Sequence, residues 1–239
     1  MDRQTIIVGD VHACLDEFEE LLDKLKYNPS IHRLILCGDL FDRGKFSVEM
    51  VAKARQLNLE CVRGNHEQKF LTWYHAQGSR LSGIYDRYPH YSQFSEADIQ
   101  YIANMPFFIE LDDVAIIHAG IKPGIAISKQ SKDDLMYLRY TDDQRKFVSL
   151  RKINKLGKEA SGARFWTDFG SFGKSIVYGH HVHSTDDIRI TSFPDGTACY
   201  GIDTGCCFGG KLSALIWETK EVVQVQAKQV YHRSDFNVR

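Results

Sequence analysis

The sequence predicts an α/β fold from three observations. Short apolar, β-branched runs recur along the chain. Amphipathic helical patterns separate the early ones, and the last two alternate across a short connection. The apolar runs are TIIVGD (5–10), RLILCGD (33–39), LECVRGN (59–65), VAIIHAG (114–120), SIVYGHH (175–181) and ACYGIDTG (198–205). Continuous apolar character of this kind belongs to strands buried on both faces. The closing pair, LSALIWE (212–218) and EVVQVQA (221–227), reads as an antiparallel hairpin.

The helices follow in order. Leu15, Phe18, Leu21, Leu22 and Leu25 share one face of a helix over 15–25. Residues 47–57 and 66–76 carry the second and third patterns, and Ser95 with Asp98 forms a capping box before Ile99, Ile102 and Met105. Strand–helix–strand alternation sets a parallel beginning, and the hairpin sets antiparallel pairing near the end. No repeat, low-complexity tract or Pro/Ser-rich linker divides the chain, so one domain over 1–239 is expected. Two stretches interrupt the rhythm: 72–106, rich in Trp and Tyr, and 128–166, rich in Lys, Arg and Asp. Both are expected to be insertions that cap the core.

Composition excludes several functions. A formal net charge of −1 gives no basic footprint for nucleic acid or an anionic membrane. The N-terminal MDRQTIIVGD lacks the apolar core of a signal peptide, and no apolar run is long enough to span a bilayer. Six cysteines without C-x-x-C spacing suit reduced thiols in the cytoplasm. Vicinal Cys206 and Cys207 read as packing residues, and Gly209-Gly210-Lys211 lacks the spacing of a phosphate-binding loop.

The chemistry is concentrated at the strand tips. They read Gly9-Asp10-Val11-His12, Gly38-Asp39-Leu40-Phe41-Asp42-Arg43-Gly44, Gly64-Asn65-His66-Glu67, His118-Ala119-Gly120 and Gly179-His180-His181. One Gly-Asp pair is ordinarily a turn or a helix cap, and one strand-end histidine is ordinarily structural. Five tips in one chain, carrying complementary carboxylate, imidazole and amide donors, instead describe a cation site at one sheet edge. Asp10 and His12, two apart in an extended chain, would point to the same side. Asp39 can offer one oxygen to each of two ions. An O/N donor set without thiolate suits Mn²⁺, with Fe or Zn²⁺ as alternatives.

In order and wording these segments resemble the PPP-type metallophosphatases of the calcineurin-like phosphoesterase superfamily, over residues 6 to about 217. DTGCCFGG (203–210) resembles the matching segment of bacterial symmetrical dinucleoside tetraphosphatases and, less closely, of bacterial phosphoprotein phosphatases. The resemblance implies a four-layer architecture, a central β-sandwich of mixed sheets flanked by helices. It makes Asp10, His12 and Asp39 ligands of one divalent metal, and Asp39, Asn65, His118 and His180 ligands of a second. His66 would be the general acid, oriented by Asp42. Arg43 would hold the substrate phosphate, with Arg139 in LMYLRYTDD as the second such arginine, ahead of Arg145, Arg151 and Arg164. Superfamily nucleases carry a G-H-x-H segment, whereas here Val182 follows His180 by two and His183 falls one residue late.

The expected activity is therefore hydrolysis of phosphate monoesters, phosphoproteins included, by a metal-activated water. Symmetrical hydrolysis of diadenosine tetraphosphate, a dinucleoside polyphosphate, on the same site is the alternative. Val182 and the absent basic surplus count against a nuclease, and the intact His66, Asp42 and Arg43 count against an inert scaffold. A nucleotide substrate would find candidate cations in Arg80, Arg87, Lys129 and Lys132, and stacking rings in Tyr85, Tyr88 and Tyr91. Those aromatics, with Trp73, Tyr74 and Phe94, serve equally well as the small core of a cap.

Overall fold

A computed structural model of the chain describes residues 3–76 and 88–233. Its elements run β1 (Gln4–Val8), α1 (Leu15–Lys24), β2 (His32–Leu36), α2 (Ser47–Gln56), β3 (Glu60–Cys61), α3 (Asn65–His75), α4 (Glu96–Ala103), β4 (Phe108–Glu110) and β5 (Val114–Ile117). Then come α5 (Lys132–Tyr137), β6 (Tyr140–Thr141), β7 (Phe147–Val148), α6 (Leu150–Leu156) and β8 (Arg164–Phe165). The chain closes with β9 (Ser175–Tyr178), β10 (Arg189–Ser192), β11 (Ala198–Gly201), β12 (Lys211–Ile216) and β13 (Glu221–Gln226).

Two five-stranded mixed sheets form the centre. The first has the order β13-β12-β1-β2-β3, and the second β10-β11-β9-β5-β4. In the first, β1, β2 and β3 are parallel, and the expected β12–β13 hairpin joins antiparallel to β1. In the second, β5, β9 and β11 are parallel. The sequence runs therefore split between two sheets, a division that tertiary pairing alone makes. The short β4, β10 and β6–β8 fall outside the apolar runs. The last three form a separate small sheet, β7-β6-β8.

Alternation along β1 shows how the layers assemble. Ile7 points between the sheets, where Ile35, Val62 and Leu215 meet Val114, Ile116, Val177 and Ile202. Ile6 and Val8 point outward onto Phe18 and Leu21 of α1 and Met50, Val51 and Ala54 of α2. On the far side, Ile117, Ile176 and Tyr178 pack under Leu135, Leu138, Phe165 and Trp166. The predicted capping box forms: Ser95 Oγ accepts the Asp98 N–H at 3.2 Å, and Asp98 Oδ2 accepts the Ser95 N–H at 3.0 Å. All six cysteines are free and buried, Cys206 and Cys207 among them as core residues. Among the described residues no helix is long and apolar enough to cross a membrane.

Candidate active site

The carboxyl ends of β1, β2 and β3 from one sheet and of β5 and β9 from the other run into Asp10, Asp39, Asn65, His118 and His180. Contacts link all ten residues expected at the site. Asp10 Oδ2 lies 3.9 Å from His12 Nε2, which is 3.5 Å from Asp39 Oδ2. Asp39 Oδ1 is 3.5 Å from His118 Nε2, which in turn is 3.0 Å from Asn65 Oδ1 and 3.1 Å from His180 Nδ1. His66 Nε2 is 3.8 Å from Asp39 Oδ2, and Nδ1 of the same ring meets Asp42 Oδ2 at 2.5 Å. Arg43 Nη1 reaches His12 Nε2 at 2.7 Å, and Arg139 Nη2 donates to the His180 carbonyl at 3.0 Å.

Backbone conformation produces this convergence. His12, Asp39, Asp42, Arg43 and His180 all have positive φ, between 46° and 70°, a costly region for non-glycine residues that clusters at functional sites. The extended Asp10–His12 geometry expected from spacing is thus corrected. A left-handed turn at His12, rather than strand alternation, brings its ring back to Asp10. Two glycines clear the space, since a Cβ at Gly179 would overlap the Asp10 carboxylate and one at Gly64 the Asp39 carboxylate.

The donor set fits cations. His118 Nδ1 faces the Cys37 carbonyl at 2.8 Å. A carbonyl can only accept, so Nδ1 carries the proton and the Nε2 lone pair points at Asn65 Oδ1 and Asp39 Oδ1. Lone pairs crowded together repel unless positive charge lies among them. His180 Nε2 is buried with no hydrogen-bond partner. Two clusters, His12–Asp39–His66 and Asp39–His118–His180, have metal-ligand spacing and share Asp39.

Electrostatics agree. Burial, then the charges of Asp203 and Asp39, pushes the Asp10 carboxyl well above its usual range. Asp39 is held low despite burial, by His118, His66, His12 and Arg43. Burial first, and Arg43 and Arg139 next, lower His12 and His180 respectively, which keeps both rings neutral and able to ligate.

Several neighbours have roles that the motifs leave unassigned. Asp42 accepts from Tyr91 Oη at 2.9 Å, and its Oδ1 lies 2.7 Å from His90 Nε2. Lys69 Nζ approaches Asp42 Oδ2 at 2.5 Å. Burial alone would raise Asp42, yet the hydrogen bonds from His66 and His90 hold it well below the carboxylate range. Glu67 is fully buried and accepts three backbone N–H groups, from Asp39, Leu40 and Gly64, which ties two strand tips together. Asp203, buried near Asp10 and both arginines, is raised to about 6 by burial.

The stacking role considered for Tyr91 is corrected. Its ring is 1% exposed among Phe41, Phe70 and Phe94, with its hydroxyl spent on Asp42. Tyr88 stacks on it at 5.1 Å. Arg80, Tyr85 and Arg87 lie outside the described residues. Of the candidate arginines, Arg145 bonds the Pro123 carbonyl and Arg164 the Asp168 carbonyl, whereas Arg139 faces the site.

Comparison with known proteins decides the family. Residues 4–217 match the profile of the calcineurin-like phosphoesterases. The chain belongs to the calcineurin-like phosphoesterase family. It is a hydrolase, and the family implies a dinuclear divalent metal centre, which the two clusters sharing Asp39 suit. The asymmetrical bis(5'-nucleosyl)-tetraphosphatase PrpE of Oceanobacillus iheyensis is 30% identical over 97% of both chains. The symmetrical bis(5'-nucleosyl)-tetraphosphatase of Baumannia cicadellinicola is 26% identical over 94% of this chain and 93% of its own. A solved phosphoesterase fold with a provisional diadenosine tetraphosphatase name superposes with a TM-score of 0.78 at 22% identity, covering 95% of each chain. A protein serine/threonine phosphatase from Saccharomyces cerevisiae gives 0.57 at 15%, covering 98% of this chain and 82% of that one.

Proposed function

We propose that this phosphoesterase hydrolyses dinucleoside polyphosphates, with diadenosine tetraphosphate as the model substrate. One observation carries the substrate choice: full-length relatives, at 30% and 26% identity, bear the tetraphosphatase name. That reverses the order the motifs suggest, in which phosphomonoesters come first. The phosphoprotein reading keeps only the fold-level likeness to protein phosphatases.

In this reading Asp10, His12 and Asp39 hold one divalent ion, and Asp39, Asn65, His118 and His180 hold the other. Mn²⁺ is the ion we favour for an O/N donor set. When bound, the pair supplies Lewis acidity toward the phosphate and lowers the pKa of water enough for attack at neutral pH. The protein does the rest. Arg43 and Arg139 clamp the non-bridging oxygens of the attacked phosphate. His66 Nε2 delivers a proton to the departing oxygen, with Nδ1 held by Asp42. Lys69, His90 and Tyr91 fix Asp42 in turn. The described part of 72–106 and residues 128–166 cap a single domain in this reading, which the separate β7-β6-β8 sheet in the second stretch supports.

The test is a substrate panel with Mn²⁺: diadenosine tetraphosphate, a phosphopeptide and p-nitrophenyl phosphate, compared by kcat/KM. The tetraphosphate should lead by at least an order of magnitude. A phosphopeptide preference of similar size would overturn the reading.

A further inference from the structure

A wall of rings and cations borders the site on the side of the small sheet. The His181 ring lies 5.9 Å from Tyr140, 5.2 Å from Phe165 and 4.4 Å from His183. Lys158 Nζ sits 5.7 Å above the Tyr140 ring, and the Arg189 guanidinium sits 5.2 Å above Phe165. Both are cation–π placements that hold a flexible base over a rigid face. Arg139 closes the inner end through its bond to the carbonyl of His180, one residue before His181.

Charge in this wall is unbalanced. Of the nearby carboxylates, Asp134 pairs with Lys122 at 2.8 Å and Asp143 with Arg164 at 3.4 Å, while Asp168 offsets Arg189 within the wall at 3.2 Å. Arg139 and Lys158 are in none of the ion pairs among the described residues. His181, between them, feels the positive charge of Arg139, Arg189 and Lys158 together. Lys158 is exposed and Tyr140 and His181 half-buried, so an anion can reach the wall from solvent. Such a surplus beside a phosphate-cleaving centre attracts further phosphate.

We propose that His181 and Lys158, outward of Arg139 at the attacked phosphate, form a second anion subsite, which takes the phosphates of a polyphosphate chain beyond the one being cleaved. Tyr140 keeps Lys158 in place, and Phe165 packs against His181. The proposal rests on the dinucleoside polyphosphate reading and adds to it where the rest of the chain lies. A phosphomonoester has nothing to place there.

Lys158→Gln and, as a control for net charge, Lys146→Gln on an exposed turn position test it. Each is assayed with diadenosine tetraphosphate and p-nitrophenyl phosphate, and for competitive inhibition of aryl phosphate turnover by inorganic tripolyphosphate. Lys158→Gln should lower the ratio of the two kcat/KM values roughly tenfold, the scale of one charged contact, and raise the tripolyphosphate Ki by a similar factor. Lys146→Gln should change neither. Equal effects of both variants, or no effect of Lys158→Gln, would overturn the subsite. The tripolyphosphate arm keeps the test separate from the substrate reading. If the parent enzyme fails to cleave diadenosine tetraphosphate, that reading falls, and the Ki values still judge the subsite alone.

Discussion

His66 Nδ1 lies 2.5 Å from Asp42 Oδ2, and the opposite nitrogen of the same ring lies 3.8 Å from Asp39 Oδ2. The ring thus bridges a buried carboxylate and the carboxylate shared by the two donor clusters. Four side chains converge on Asp42: His66, Lys69, His90 and Tyr91. A carboxylate so surrounded stays ionised and cannot swing, which keeps Nε2 facing the shared Asp39 carboxylate, where the proposed reaction would release its leaving oxygen.

His66→Asn should therefore lower kcat by roughly 10²–10⁴-fold, the range for a positioned general acid. Asp42→Asn should follow in the same direction by misorienting the ring. Both losses should shrink as the leaving group improves, because a good leaving group needs little protonation. A series of aryl phosphates of graded phenol pKa measures this. A uniform loss along the series would assign the pair to structure instead.

Asp39 offers Oδ1 toward His118 and Oδ2 toward His12. Asp39→Asn removes the charge common to both clusters, so metal content by elemental analysis should fall well below two per chain. Bound cation stabilises the native state by mass action, by about 2.7 kcal/mol at a hundredfold excess over Kd. Mn²⁺ should accordingly raise Tm in the parent protein and much less in the variant. Two retained metals with an unchanged Tm response would exclude the bridge.

Glu67 gives a prediction about stability. Its Oε2 accepts from Asp39 N and Gly64 N, and Oε1 from Leu40 N. Glu67→Gln turns one acceptor into a donor facing a backbone N–H in a fully buried place. The cost should be about 1–3 kcal/mol, the penalty for a buried polar group left without its hydrogen-bond partner. Urea midpoints at constant m value measure it. An unchanged midpoint would mean the strand tips are held by other contacts.

The strand tips were legible because Gly, Asp, His and Asn punctuate apolar runs at the ends of β1, β2, β3, β5 and β9. The helices were legible from periodicity, and α1, α2 and α3 begin and end within a residue or so of the patterns. Division into two sheets was not legible from periodicity, since β1 and β9 are equally apolar and pairing is long-range. Left-handed φ at His12 and His180 leaves no trace in composition. Tyr91 and His90 reach Asp42 from 49 and 48 residues away, beyond any local signal. Lys69 could have been found, because it lies three after His66 on α3, on the same helical face.

The product pattern tests the site and its neighbouring wall together. Relatives of both the asymmetrical and symmetrical kind match this chain, so similarity alone does not choose. Beyond Arg139, which holds the attacked phosphate in the proposed reaction, the wall offers His181 and Lys158. Donors beyond the attacked phosphate favour a longer departing chain, a triphosphate, over a diphosphate. Attack at the phosphorus nearest one nucleoside breaks its bond to the bridging oxygen. His66 then protonates that oxygen, now the terminal oxygen of the departing nucleoside triphosphate. Diadenosine tetraphosphate should accordingly yield ATP and AMP, with oxygen from labelled water appearing in AMP. Anion-exchange chromatography and mass spectrometry read both. Two equivalents of ADP would show cleavage at the centre of the chain and would sink the asymmetrical expectation, while leaving the tetraphosphatase activity in place.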